Sequence, residues 1–394
     1  MKNHIDIPIL PPELITEILL RLPVISLLRF KCVCNSWLSL ISNPQFGVSH
    51  FDLAASPTHR FLLGANHENY YVQSINTDMD HTHSNPLRIL VPIPHPDRYN
   101  RPSVRRFWNS VLPLILGSCR GFILLYYITG HLILWNPSNA VHKQLPYFIC
   151  RQTRENLRGF GHDPSLDEYL LIFIHGALGY RTEIKVFSLK TNSMNTYSIN
   201  VSYNSILGKQ FKNGSLLNGA LHWLVFSQDK QVLVIIAFDL IKRSLSEIPL
   251  LEELTMEMRD VFSLRVLRGC LGVCCWVQGS AATEIWVMKE YKVHSSWTKS
   301  FVIPSYDNLY SQFSPICETK DGGIFGSNIN KRCRSKKKEK NSTMRLEKLN
   351  DKGELLERFP YDSVLQLFGD NLQNLQSAVY RESLLSLSSV TGAN

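Results

Sequence analysis

Asp78-x-Asp80-His81-x-His83 groups side chains able to ligate a metal, and Cys270-x3-Cys274-Cys275 groups three thiols that could ligate zinc or exchange disulfides. Asp163, His222 and Trp223 are also of types used in catalysis. Each has a plainer reading. The Asp/His run is a polar linker with nothing nearby to fix a coordination geometry. Leu267, Leu271, Val273 and Trp276 surround the cysteines and predict a buried strand, where a thiol behaves as a small hydrophobe. Asp163, His222 and Trp223 are expected to serve internal hydrogen bonding and packing. No G-x-S-x-G elbow, HExxH helix or Walker loop occurs in the sequence. These residues predict no catalysis, no metal and no cofactor.

Charge is concentrated. The chain of 394 residues carries a formal +9, and Lys331–Lys340 alone holds seven Lys/Arg against one Glu, +6 of that total, which leaves +3 for the rest. The stretch reads first as a solvated basic loop over 331–342; a nuclear-localisation signal or a contact to an acidic partner is the alternative. No aromatic residue interrupts it to stack on bases, so nucleic acid is not the expected partner. Arg101, Arg105 and Arg106 could recognise an acidic or phosphorylated motif, against the plainer reading of linker charge. With 44% hydrophobic and 19% charged residues, the chain reads as globular. Nine cysteines are too sparse for a disulfide framework at this length, and no leader-like segment precedes them. The expected setting is reducing and intracellular, in cytoplasm, nucleus or both. No run approaches a membrane span.

Two kinds of element must hold these residues. From Pro8 to Phe46 the apolar residues recur at helical spacing. Leu14, Ile18 and Leu22 form a stripe that Ile15 and Leu19 widen, with Glu13, Glu17 and Arg21 on other sides. Pro11 and Pro12 suit the helix start and Pro23 stops it. A second helix is expected near Ser26 through Leu27, Leu28 and Phe30. A third carries Val33, Trp37, Leu40 and Ile41 and ends at Asn43 and Pro44. Three short helices cannot bury all these side chains among themselves, so one apolar face needs a partner or packs on the rest of the chain.

Leu10-Pro11-x-Glu13-Leu14-x-x-Glu17-Ile18-Leu19-x-Arg21-Leu22-Pro23-Val24, then Ser26 to Cys34, Ser36-Trp37, Leu40-Ile41 and Pro44-x-Phe46, resembles the F-box of plant F-box proteins. That resemblance implies docking on the Skp-type adaptor of an SCF (cullin-RING) ubiquitin ligase, with the rest of the chain selecting substrates. It also implies that Leu10, Pro11, Leu14, Ile18, Leu28, Val33 and Trp37 form the adaptor interface or its support. Asn35 departs from the family, which usually has a basic residue before Ser-Trp; this should tune affinity at the rim.

After residue 50, short β-rich runs alternate with turn residues. Hairpins are expected at Ile133–Leu145, Ile184–Ile199, Ile236–Ile248, Ile285–Ile303 and Met344–Pro360. Trp135, Phe187, Phe238 and Met288 follow one another at 52, 51 and 50 residues, a propeller-blade period of the kelch type. Gly121–Tyr127, Tyr169–Ile174, Ala220–Phe226, Leu271–Val277 and Gly323–Gly326 are inner-strand candidates. A further unit lies between Arg60 and Leu90, and Ala378–Leu387 is expected as a last strand closing the ring. Gly117-Ser118-Cys119-Arg120-Gly121-x-Ile123, Leu134-Trp135-Asn136-Pro137, Gly159-Phe160-Gly161-x-Asp163 and Asn218 to Trp223 resemble the F-box associated domain of the same family, which has kelch-like relatives.

The fold class expected is α+β multidomain: a three-helix F-box over 1–50, then an all-β domain over 51–390. The β domain is read as a kelch-like propeller of about six units, with a β-sandwich as the alternative. The function implied is a non-catalytic substrate receptor bridging adaptor and cullin to an unidentified protein, without membrane or nucleic acid. Two other classes stay open. A ligase-independent interaction module has its helical face packed on its own β domain or on a different partner, and predicts a Leu14, Ile18 and Trp37 surface buried in the isolated chain. A propeller enzyme requires a convergent polar or metal set at the ring centre.

Overall fold

A computed structural model describes residues 10–53, 59–64, 71–76, 87–92, 113–127, 131–146, 157–177, 181–205, 213–255, 259–277, 282–304, 311–319, 321–330, 343–359 and 377–387. Four helices come first: α1 Pro12–Leu19, α2 Val24–Phe30, α3 Asn35–Ser42 and α4 Pro44–Leu53. The sequence reading had three. Asn43 and Pro44 do end α3, but Pro44 also starts α4, where its missing N–H is no loss, and the Asn43 side chain accepts the Gln45 N–H at 2.8 Å. The helices share a core of Leu19, Leu20, Val24, Leu27, Ile41 and Phe46, joined by Leu384 from the far end of the chain.

Twenty-five strands follow in antiparallel sheets. Five sheets each draw on one contiguous stretch. The first is β4 Leu114–Cys119, β5 Phe122–Tyr126, β6 Leu132–Trp135 and β7 His142–Leu145. The second is β8 Leu157–Asp163, β9 Glu168–Ala177, β10 Arg181–Ser188 and β11 Ser193–Ile199. The third holds β12 Tyr203–Ser205, β13 Ser215–Leu217, β14 Ala220–Ser227, β15 Val232–Asp239 and β16 Ser244–Pro249. Then come β17 Arg259–Leu267, β18 Cys270–Val277, β19 Ala282–Met288 and β20 Trp297–Pro304, and lastly β21 Ser311–Glu318, β22 Ile324–Asn330, β23 Thr343–Leu349 and β24 Leu355–Phe359. A closing sheet is composite: β1 His59–Gly64, β2 Tyr71–Asn76 and β3 Leu87–Leu90 are completed by β25 Ser377–Arg381 on β1. The expected last strand thus stops at Arg381, and 382–387 is not strand.

β4 lies beside β8, β8 beside β13 and β14, β13 beside β17, β17 beside β21, β21 beside β25, and β25 beside β4. This closed succession of sheets is a β-propeller and replaces the sandwich alternative. It also corrects the inner-strand assignment. β5, β9, β14, β18 and β22, read as innermost, are second strands; the innermost are β4, β8, β13, β17, β21 and β25.

The sheets stack face to face, so their middle strands are buried on both sides and read as continuous apolar runs, as β5 (FILLY) and β6 (LILW) do throughout. Outer strands alternate buried and exposed, as in β16. Near the axis the sheets converge and leave no room for side chains. A Cβ on Gly159 would meet Leu221 Cδ1 at 2.6 Å, and one on Gly161 would meet Leu240 Cδ1 at 2.6 Å. Glycine therefore stands where a strand pattern would place a large residue.

The two ends of the ring differ. Three turns at the end carrying the helices are tight: Arg120-Gly121, Asn218-Gly219 and Arg268-Gly269 each have two consecutive positive φ values, the geometry of a two-residue hairpin. Among the described residues, every positive φ except that of Gln231 lies in a turn at this end. At the opposite end the described turn at 228–231 joins β14 to β15, and 147–156, 305–310 and 331–342 lie outside the described residues.

Candidate docking surface

α1 presents apolar side chains on two sides. Ile15 and Leu19 face the helical core, while Leu14 and Ile18 are 51% and 49% exposed and continue a line from Leu10 at 52%. The single stripe read from sequence is therefore two, since Leu22 packs inward against the core and Leu14 and Ile18 do not. Spacing of four residues holds the outer line on one face. Val33, in the link between α2 and α3, is 61% exposed, and Pro11 is exposed as well.

Leu28 and Trp37 are half-buried and pack on the helical core. The Trp37 ring lies 5.2 Å from the Phe30 ring at 59°, which fixes its orientation and leaves part of its area open. Of the residues expected at the interface, Leu28 and Trp37 are thus packed on the helical core, while Leu10, Pro11, Leu14, Ile18 and Val33 are exposed. Two residues escaped the sequence reading: Ile25 and Leu38, 41% and 45% exposed. A signal existed. α2 is VISLLRF, five apolar residues in seven, more than one face can bury.

Asn35 opens α3 and is exposed. Just before it, the exposed Cys34 thiol lies 3.1 Å from the Ser36 hydroxyl, which with backbone N–H groups of α3 lowers its pKa.

In the propeller, the residues of catalytic type hold sheets together. Arg243 Nη2 donates to Asp163 Oδ2 at 2.8 Å and Glu168 Oε1 at 2.7 Å, tying the β14–β16 sheet to β8 and β9. His222 shares a hydrogen bond with Tyr291 OH at 2.8 Å; it is fully buried, and burial lowers its pKa to about 4. Trp223 Nε1 donates to the Arg158 carbonyl at 3.0 Å. Cys274 and Cys275 are buried in β18, and burial pushes the Cys274 thiol up to about 12. Among the described residues, no three of His, Cys, Asp or Glu are grouped to hold a metal ion. Asp78–His83, Arg101, Arg105, Arg106 and Lys331–Lys340 lie outside the described residues.

Residues 7–49 match the family of the F-box domain, and residues 73–335 match that of the F-box associated beta propeller domain. An F-box/kelch-repeat protein of Arabidopsis thaliana is 29% identical over 309 residues, 75% of this chain and 79% of that one. The F-box protein CPR1 of the same plant is 26% identical over 343 residues, 79% of this chain and 78% of that one. Its F-box/WD-40 repeat-containing protein 1 is 25% identical over 315 residues, 76% of this chain and 70% of that one. The names of these relatives thus carry two repeat types, kelch and WD-40.

Proposed function

Because the chain belongs to the F-box proteins that carry an F-box associated beta propeller domain, we propose that it is a substrate receptor of an SCF-type ubiquitin ligase. On this reading the helical module docks on a Skp-type adaptor and through it on cullin, and the propeller holds a target protein. The chain performs no bond chemistry: it raises the effective concentration of a target lysine near the charged conjugating enzyme. It works in cytoplasm, nucleus or both, and no helix of the described residues is long and apolar enough to cross a membrane. We read the ring as kelch-like on its period near 50 residues, and the domain limits as 1–50 and 51–390.

The observation that carries this reading is the exposed line Leu10, Leu14 and Ile18 on a module whose other side is occupied by its own core. Exposed apolar side chains gathered on one face of a small module fit a binding surface. The form of the ligase-independent alternative in which that face packs on the chain's own β domain requires Leu14 and Ile18 to be buried, and about half of each is exposed; the form in which a different partner covers the face is the one the adaptor pull-down separates. Target recognition is assigned to connections at the end of the ring remote from the helices, where specificity can vary without disturbing the seat of the helical module.

The test is a pull-down of the full chain on purified Skp-type adaptor. Leu14→Asp with Ile18→Asp is the cleaner pair, because Trp37→Ala also removes packing from Phe30. The double variant is expected to keep the wild-type circular dichroism and lose binding by about 30-fold or more, the scale of an interface hot spot. Failure of the folded wild type to bind refutes the proposal.

A further inference from the structure

Two sequence motifs of the β4–β7 sheet meet β25 and the short segment that follows it, more than 240 residues away in the chain. Asn136, of Leu134-Trp135-Asn136-Pro137, is fully buried, and its Nδ2 donates to Ser383 O at 3.1 Å, Ser383 Oγ at 3.0 Å and Leu385 O at 3.1 Å. Gly121, of the Gly117–Gly121 motif, has φ +82° and faces Ser383 so closely that a Cβ would stand 2.2 Å from its Oγ. Ser118 Oγ of the same motif donates to Val379 O at 2.7 Å.

The other side of this segment grips the helices. Gly47 of α4 lies against Leu384, where a Cβ would be 3.1 Å from the Leu384 carbonyl. The Arg381 guanidinium stacks 4.0 Å from the centre of the Phe51 ring and donates to the Phe51 carbonyl. Arg120 lies 5.1 Å from the same ring and 3.9 Å from Asp52. Leu384 belongs to the helical core, while its neighbour Leu385 belongs to the core between the β4–β7 and β8–β11 sheets.

We propose that Arg381–Leu385 is a positioning element: it fixes the direction in which the docking surface points relative to the far end of the ring, and couples that direction to ring closure. The segment continues directly from β25, so the strand that completes the closing sheet and the wedge that seats α4 are one piece of chain. For a ligase receptor, that direction sets where a bound target stands relative to the conjugating enzyme, so the functional weight of the proposal rests on the docking reading above. None of the residues named here belongs to the exposed docking line.

The test uses the full chain with spin labels introduced as unnatural amino acids at the exposed Ser39 and Lys242, since Cys32 and Cys34 are exposed and would take thiol labels. Pulsed EPR distances are compared for wild type, Gly47→Val, Asn136→Ala and Arg381→Lys, and adaptor pull-down is run on the same samples. The expected result is one narrow distance in wild type, and a shifted or widened distribution in Gly47→Val and Asn136→Ala with circular dichroism and adaptor capture retained. A wild-type distribution that is already broad overturns the proposal, as do folded variants whose distributions superimpose on wild type. Should Gly47→Val or Asn136→Ala fail to fold, Arg381→Lys decides: it keeps the charge but loses the planar stacking on Phe51, so a widened distribution supports the element and an unchanged one overturns it. If wild type gives the narrow distance but captures no adaptor, the docking reading falls and the positioning element stands.

Discussion

At the helix-bearing end of the ring, three hairpins turn in two residues with left-handed backbone, Arg243 ties two sheets through buried carboxylates, and Asn136 ties the β4–β7 sheet to the segment after β25. At the opposite end the described turn at 228–231 has a single positive φ, that of Gln231, and among the described residues no comparable set of cross-sheet ties joins the strand ends there. The first end is over-determined: turn conformation, glycine placement and inter-sheet bonds all require one arrangement. Substitution there should be costly, and change at the other end should be tolerated.

The largest effect is expected from Gly121→Val, which puts a branched side chain at positive φ and drives it into Ser383. A loss of about 4 kcal/mol follows from strain and overpacking together, read as a lower urea midpoint. Arg243→Ala comes next. It leaves Asp163 and Glu168, 1% and 8% exposed at the side chain, without their shared cation, at a cost of about 3 kcal/mol in the same assay.

Acid should loosen the same end. Burial holds His50, His162 and His222 below their ordinary pKa, His222 at about 4. A histidine depressed in the folded state binds fewer protons there than when unfolded, so stability is full above the unfolded pKa near 6.5 and is lost as pH falls below it. From pH 7 to pH 5, His222 alone should remove about 2 kcal/mol, and His222→Gln should flatten that part of the profile. The smallest effect belongs to the far end. Inserting Gly-Ser-Gly-Ser within 305–310 should cost about 0.6 kcal/mol, the entropy of lengthening a loop. The same insertion between Arg268 and Gly269 should cost several times more, because the two-residue turn sets strand register. Equal costs at both sites would erase the contrast between the two ends.

Legibility followed the same physics. Hairpins such as β6–β7 and β15–β16 could be read because a strand buried on both faces is apolar throughout and its outer neighbour alternates. Of the innermost strands β25 could be read, as Ala378–Leu387, but β8 could not, because close packing against the next sheet selects Gly159 and Gly161 over the residues that mark a strand. α4 was hidden by Pro44, which reads equally as the end of one helix and the start of the next. Leu14 and Ile18 were legible as apolar positions, but which of α1's two apolar sides faces water depends on α2 and α3. The partners of Asn136 stand nearly 250 residues away in sequence, beyond the reach of any local pattern.

Closure by β25 also has a consequence in time. Translation at about 5–20 residues per second separates β1 from its partner by roughly 15 to 60 s. Throughout that interval the nascent chain carries one unpaired strand edge and an unseated α4, a pairing site for other chains until the wedge arrives. A ribosome that stalls before Ser377 therefore leaves a product recognisable by chaperones and proteases through that open edge.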